Sequence, residues 1–123
     1  MSGNKQFDAE GEPVARHLGD IKAKTGKPAY CLFIAPTINP NTISHFFMLH
    51  KTKITHYGGK SVVIPLTLDR FVNMLEQSKN SGYIPSPEKV RQFCEYSMTA
   101  ANTADDEEEW YSAISRKADN WLA

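Results

Sequence analysis

Long apolar runs, cysteine and a net charge of either sign are what this 123-residue chain has least of, and each shortage excludes something. No stretch approaches the roughly 20 apolar residues that a membrane-crossing helix needs. Residues Met1-Ser2-Gly3-Asn4-Lys5-Gln6 hold no apolar signal region, so a soluble, cytoplasmic protein with no membrane partner is expected. The 14 basic and 14 acidic residues cancel. No whole-chain field therefore draws the protein onto nucleic acid or an acidic membrane, and any nucleic-acid contact must be a local patch. Only two cysteines occur, Cys31 and Cys94, both inside apolar patterns rather than at metal-ligand spacing. That suits buried thiols in a reducing compartment, with a bridge between them the other option left open.

Familiar site signatures are missing as well. His45, His50 and His56 form no HExxH pattern, and the step of five from His45 to His50 sets them on different helical faces, so surface or partly packed histidines are expected. Gly58-Gly59 lacks the further glycines, lysine and serine of a phosphate-binding loop. Cys94 has no neighbouring histidine or glycine elbow and reads as an inert buried thiol. The acidic run Asp105 to Glu109 has neither EF-hand spacing nor its glycine; acidic residues at a helix start suit the macrodipole instead.

With 41% hydrophobic residues the chain can build one core, which gives a single domain over 1–123. A first helix is expected over Gln6 to Thr25, with Val14, Leu18 and Ile21 on one face and Gly26 as its stop. Pro13 limits its regular part, which begins at Glu12 or Pro13 and leaves Gln6 to Gly11 as an irregular lead-in. Ala29 to Ala35 reads as a central strand covered on both faces. Asn39 and Pro40 then open a helix as N-cap and first residue, carrying Ile43, Phe46, Phe47 and His50 at helical spacing.

Ser61 to Leu66 is a second strand, and its proline suggests an end or an edge. The connection between the two strands suits a right-handed parallel crossover. A hairpin of Lys53 to Tyr57 with Lys60 to Val63 is the rival. Thr67 caps a third helix with Leu68, Phe71, Val72 and Leu75 on its buried side. Ser86-Pro87 starts a fourth with Val90, Phe93, Cys94 and Ser97 inward. Trp110, Ile114, Ala118 and Trp121 mark one face of the last, as core or subunit interface. The class is α/β, in the order α-β-α-β-α-α-α with a short parallel sheet packed by helices. Residues 1–75 form the α/β part and 76–123 a helical part.

Two polar groups stand out. Gln6, Glu10, Glu12, Arg16 and His17 share the first helix; Glu12 and Arg16 are four apart, and a glutamate there can bind a divalent cation or orient a water. A solvated face with one ion pair is the plainer account. Thr37, Asn39 and Asn41 form a loop at the C-terminal end of the first strand, where open α/β sheets usually hold ligands. Capping and backbone satisfaction explain the same residues structurally.

The strings Gln6-Phe7-Asp8-Ala9-Glu10-Gly11-Glu12-Pro13-Val14-Ala15-Arg16-His17, Leu32-Phe33-Ile34-Ala35-Pro36-Thr37-Ile38-Asn39 and Ile64-Pro65-Leu66-Thr67, in that order, resemble the catalytic domain of the AlwI-type family of type IIS restriction and nicking endonucleases. The resemblance covers roughly residues 2 to 75. It implies a partial PD-(D/E)XK nuclease core, double-stranded DNA as substrate, and Mg2+ held by strand carboxylates that activate a water. It also implies that Gln6, Glu10 and Glu12 line the site and that Arg16 and His17 contact the DNA backbone.

The expected acidic strands would precede Gln6, where only Met1 to Lys5 stand and no spaced aspartate and glutamate can be read. The resemblance thus implies the C-terminal part of an endonuclease domain, truncated or one half of a split enzyme. No catalytic acid is assigned, no metal is expected to bind tightly to this chain alone, and no cleavage by it alone is expected. Two other readings are a dimerisation or complementary-subunit module paired through an exposed sheet edge, and a small ligand-binding domain using the Thr37 to Asn41 loop.

Overall fold

The computed structural model describes residues 6–53, 59–82 and 86–122. A π-helical turn, Phe7–Gly11, runs directly into α1 (Glu12–Thr25). The lead-in is thus wound one residue wider than an α-helix, and regular winding begins just before Pro13, whose missing N–H costs nothing in a first turn. Gly26 ends α1 in the left-handed region at φ 65°, its N–H bonded to the Lys22 carbonyl, the conformation glycine adopts at least cost.

β1 (Tyr30–Ala35) and β2 (Val62–Thr67) form a two-stranded parallel sheet, with Tyr30 opposite Val62 and Ala35 opposite Thr67. α2 (Pro40–Lys51) lies between them in sequence; α3 (Leu68–Asn80), α4 (Pro87–Thr103) and α5 (Glu107–Asp119) follow. The class and the element order agree with the sequence pattern. The rival hairpin rests on Lys53 to Tyr57, of which 54–58, with His56, lie outside the described residues.

Local chemistry sets most helix starts. The Asn39 side chain accepts from the Asn41 N–H, that of Ser86 from the Lys89 N–H, and that of Asp106 from the Glu109 N–H, each filling a donor the helix leaves open. In return Glu109 accepts from the Asp105 N–H at 3.2 Å, a capping box. Thr67 departs from expectation: it stands at the N-cap of α3 without a side-chain bond, being also the last residue of β2.

The core lies between the sheet, α2 and the C-terminal helices. Phe46, Val63, Ile64, Leu66, Trp110, Ile114 and Ala118 have no exposed surface. Trp110 donates its indole N–H to the Ser97 carbonyl at 3.0 Å, and Trp121 donates to Met74 at 3.1 Å. Both indoles are therefore core residues with satisfied polar handles. Gln77 of α3 donates to the Ala118 and Asp119 carbonyls, closing the end of α5.

Four burial expectations need correction. β1 is not covered on both faces: only Phe33 and Ala35 are buried, and Tyr30, Leu32 and Ile34 are half-buried. β2 is the sheltered strand, buried from Val62 to Leu66. Pro65 is tolerated there because a strand with one neighbour has a side that needs no ladder donor. On α3, Leu68, Val72 and Leu75 are exposed and Met74 is the buried residue, while Val90 on α4 and Ile21 on α1 also face solvent. His50, finally, is buried in the core rather than on the surface.

Candidate functional site

The two polar groups of the sequence meet at one residue. Gln6 is buried beside the loop that follows β1; its amide nitrogen donates to the Thr37 carbonyl at 2.9 Å and its amide oxygen accepts from the Asn39 N–H at 2.8 Å. A carboxamide carries one donor end and one acceptor end, so it substitutes for a missing stretch of backbone and fixes the loop by two bonds. With the Asn39 side chain turned onto the Asn41 N–H at 3.2 Å, the backbone from Thr37 to Asn41 is held from both sides. Gln6, Thr37, Ile38, Asn39 and Pro40 border a small depression of about 270 Å3 at the head of α2. Thr37 and Asn41 are exposed there.

The π turn explains how Gln6 reaches this loop. Gly11 is buried against the ring of Phe46, where a Cβ would stand 2.8 Å from Phe7 Cδ2 and 3.1 Å from Phe46 Cζ. Phe7 stacks on the His45 imidazole, with centroids 4.2 Å apart and planes at 17°, and its edge meets Phe46. The start of the first helix is therefore anchored on α2 by aromatic contacts, and Gln6 projects from that anchor onto the loop.

The other helix candidates lie elsewhere. Glu10 is exposed, and Glu12 stands 3.8 Å from Arg16 in an i, i+4 pair open to solvent, an arrangement that contributes little stability. Arg16 and His17 border a second groove, of about 560 Å3, with Val14, Leu18, Tyr30 and Cys31. That groove flanks the start of β1, whereas the Gln6 loop lies past its end. Gln6, Thr37 and Asn39 are thus brought together; Arg16 and His17 are not part of that cluster.

Magnesium demands near-octahedral oxygen coordination, commonly through one or two carboxylates backed by waters and substrate phosphate. Among the described residues no three histidine, cysteine, aspartate or glutamate side chains converge on a point. The exposed pair Glu12 and Arg16 and the committed amide of Gln6 do not fit such a site. No step is derived through a metal here.

The most perturbed group in the chain is one the sequence reading left on the surface. His50 Nδ1 lies 3.0 Å from the Phe46 carbonyl, so it carries the proton, and Nε2 lies 3.5 Å from Ser97 Oγ. The ring meets Trp110 edge-on at 4.7 Å. Burial pushes its pKa down to about 4 despite the Phe46 bond, which favours the charged form. Burial likewise pushes the Cys94 thiol up to about 11, with the nearby Cys31 adding to the effect, and raises Cys31. Both thiols are free and poorly ionised. His50 was detectable in sequence: it is four residues from Phe46, on the face that Ile43 and Phe46 mark as apolar.

Comparison with known proteins adds one finding. The model of the AlwI restriction endonuclease family matches residues 1–74, more than half of the chain. No curated protein matches it.

Proposed function

The chain belongs to the AlwI restriction endonuclease family, and from that premise we propose that it is part of a magnesium-dependent type II endonuclease for double-stranded DNA, supplying substrate-facing and supporting surface rather than the metal site. DNA is the substrate the family implies. The observation that carries the reading is the Gln6 bridge: it joins two of the family-like strings, at Thr37 and Asn39, across 31 and 33 residues of sequence. Arg16 and His17, exposed along one groove, supply a local cationic surface for phosphates in a chain of zero net charge. The exposed Thr37 and Asn41 offer hydrogen bonds at the head of α2.

In this reading the chain does not cut DNA by itself. Its described carboxylates are dispersed: Glu10 is exposed, Glu12 lies beside Arg16, and the Asp106 side chain is spent on capping α5. Purified chain with plasmid and Mg2+ should leave the plasmid supercoiled; cleavage that survives nuclease removal and vanishes in Glu10→Ala would overturn this. Anisotropy with a labelled duplex tests the DNA surface. Replacing Arg16 by alanine should weaken binding of unrelated sequences alike and reduce the salt slope by about 1. An unchanged slope would remove Arg16 from the interface.

A second reading, an assembly module that pairs through the free side of β1, draws on one observation: Tyr30, Leu32 and Ile34 are half-buried on a strand with one neighbour among the described residues. An open edge is normally covered or mated. A dimer insensitive to changes on α3 would favour this reading, and a chain that stays monomeric and binds no partner would sink it.

A further inference from the structure

The apolar periodicity of α3 and the surface it presents disagree. Leu68, Val72 and Leu75 recur at i, i+4, i+7, the spacing of a face built for burial, yet they are 44%, 42% and 53% exposed. α3 meets the rest of the chain by its other side, through buried Met74, Gln77 on the last carbonyls of α5, and Arg70 at 3.4 Å from Asp119. Beside the stripe runs a groove of about 750 Å3. Phe71 and Leu75 form its α3 wall, Val90 and Phe93 of α4 the opposite wall, and Leu32 and Trp121 also line it.

The occupant must offer a complementary apolar ridge about one helix wide and must not bring a repelling charge. α3 itself meets both conditions. The exposed large apolar residues on the other described helices, Ile21, Met48, Val90, Tyr96 and Met98, form no such stripe along one face, and Val90 already belongs to the groove. Charge decides the direction of approach. Asp69 stands in the first turn of α3 and Lys79 in its last, roughly 15 Å apart along the axis at 1.5 Å per residue. Two copies of α3 laid antiparallel set each Asp69 beside the other chain's Lys79, twice by symmetry, and also oppose their helix dipoles. A parallel approach pairs like with like. The 14 basic and 14 acidic residues leave no net repulsion between copies.

We infer that the protein self-associates through α3: two chains pack this helix antiparallel about a two-fold axis near Met74, each laying its Leu68, Val72 and Leu75 stripe along the groove of the other. The contact is isologous, the same patch on both chains, and so closes as a dimer. It uses neither the Gln6 loop nor the Arg16 groove, and it stands or falls independently of DNA binding.

Sedimentation equilibrium over roughly 1 to 200 μM, a range centred on ordinary specific association, should show twice the mass of one chain. Val72→Glu with Leu75→Glu should shift the chain to monomer with its circular dichroism unchanged, because both positions are exposed and no core contact is removed. Asp69→Lys alone should weaken the dimer at least tenfold, and Asp69→Lys combined with Lys79→Asp should restore it. A chain that remains monomeric throughout the range overturns the inference. So does a dimer indifferent to the Val72 and Leu75 changes, which would assign association to another surface. Failure of the charge exchange to restore the dimer overturns the antiparallel register.

Discussion

Replacing His50 by glutamine should flatten the acid dependence of stability. The imidazole is buried among Phe46, Ser97 and Trp110, and its pKa falls from 6.5 to about 4 in the folded chain. The unfolded chain therefore takes up a proton at this residue as the pH drops through 6.5, while the folded chain stays neutral until about 4. Between those values the unfolded state binds more protons, so folding stability decreases as pH falls; above 6.5 and below 4 this group adds no slope. At roughly 1.4 kcal/mol per pKa unit, the total loss across the window is about 3 kcal/mol, a large share of the marginal stability of a domain this size.

Little in the surroundings offsets that loss. Nδ1 already donates to Phe46, and a proton on Nε2 would find only Ser97 Oγ at 3.5 Å, a hydroxyl that donates to the Cys94 carbonyl at 2.7 Å. Urea unfolding, followed by the fluorescence of the tryptophans, gives the stability at each pH from 7.5 to 4.5 for both chains. Surface carboxylates contribute equally to both, so the difference between the two curves isolates His50. Glutamine keeps an amide donor for the Phe46 carbonyl and should cost some stability at pH 7.5, then lose about 3 kcal/mol less on acidification. Parallel curves would refute the argument, since they would mean His50 is protonated in the folded chain or solvated in it.

Two further perturbations test the arrangement around the loop. Gln6→Ala leaves the Thr37 carbonyl and the Asn39 N–H without their partner, at about 1 to 3 kcal/mol; hydrogen exchange should report faster opening at Asn39, and unchanged exchange there would mean the clamp does not hold the loop. Gly11→Ala drives a Cβ to 2.8 Å from Phe7 and 3.1 Å from fully buried Phe46, an overpacking cost of about 1 to 3 kcal/mol. Chemical denaturation should show it, and a chain as stable as the parent would mean the π turn relaxes freely.

What the sequence disclosed divides along a physical line. Features decided within a few residues were legible: the Asn39-Pro40, Ser86-Pro87 and Asp106 helix starts, the Gly26 stop, and the break at Gly11 to Pro13 between irregular and regular winding. Features decided by what another part of the chain covers were not. β1 and β2 are both apolar, and composition alone does not say which one the helices shelter. The stripe on α3 reads as buried because periodicity records that a face is apolar, not that this chain covers it. Gln6 and the Thr37 to Asn41 loop were each visible as polar groups, but the bonds between them span more than 30 residues, and no local pattern encodes such a pairing.

Those long-range bonds change what the three family-like strings mean together. The first string carries Gln6, whose amide binds Thr37 and Asn39 of the second; the second contains most of β1, which pairs in register with β2, so that Leu32 faces Ile64 and Ala35 faces Thr67 of the third. The strings thus form one continuous unit, helix start to loop to strand to strand, and lie within the matched residues 1–74. The groove beside α3 is built largely from residues on its other flank, Leu75, Val90, Phe93 and Trp121 among them. DNA-directed chemistry and self-association therefore fall on different surfaces. Arg16→Ala should change DNA affinity without moving the sedimentation result, and the Val72 and Leu75 changes should do the reverse. If either substitution moved both readouts, the two surfaces would be coupled and the division wrong.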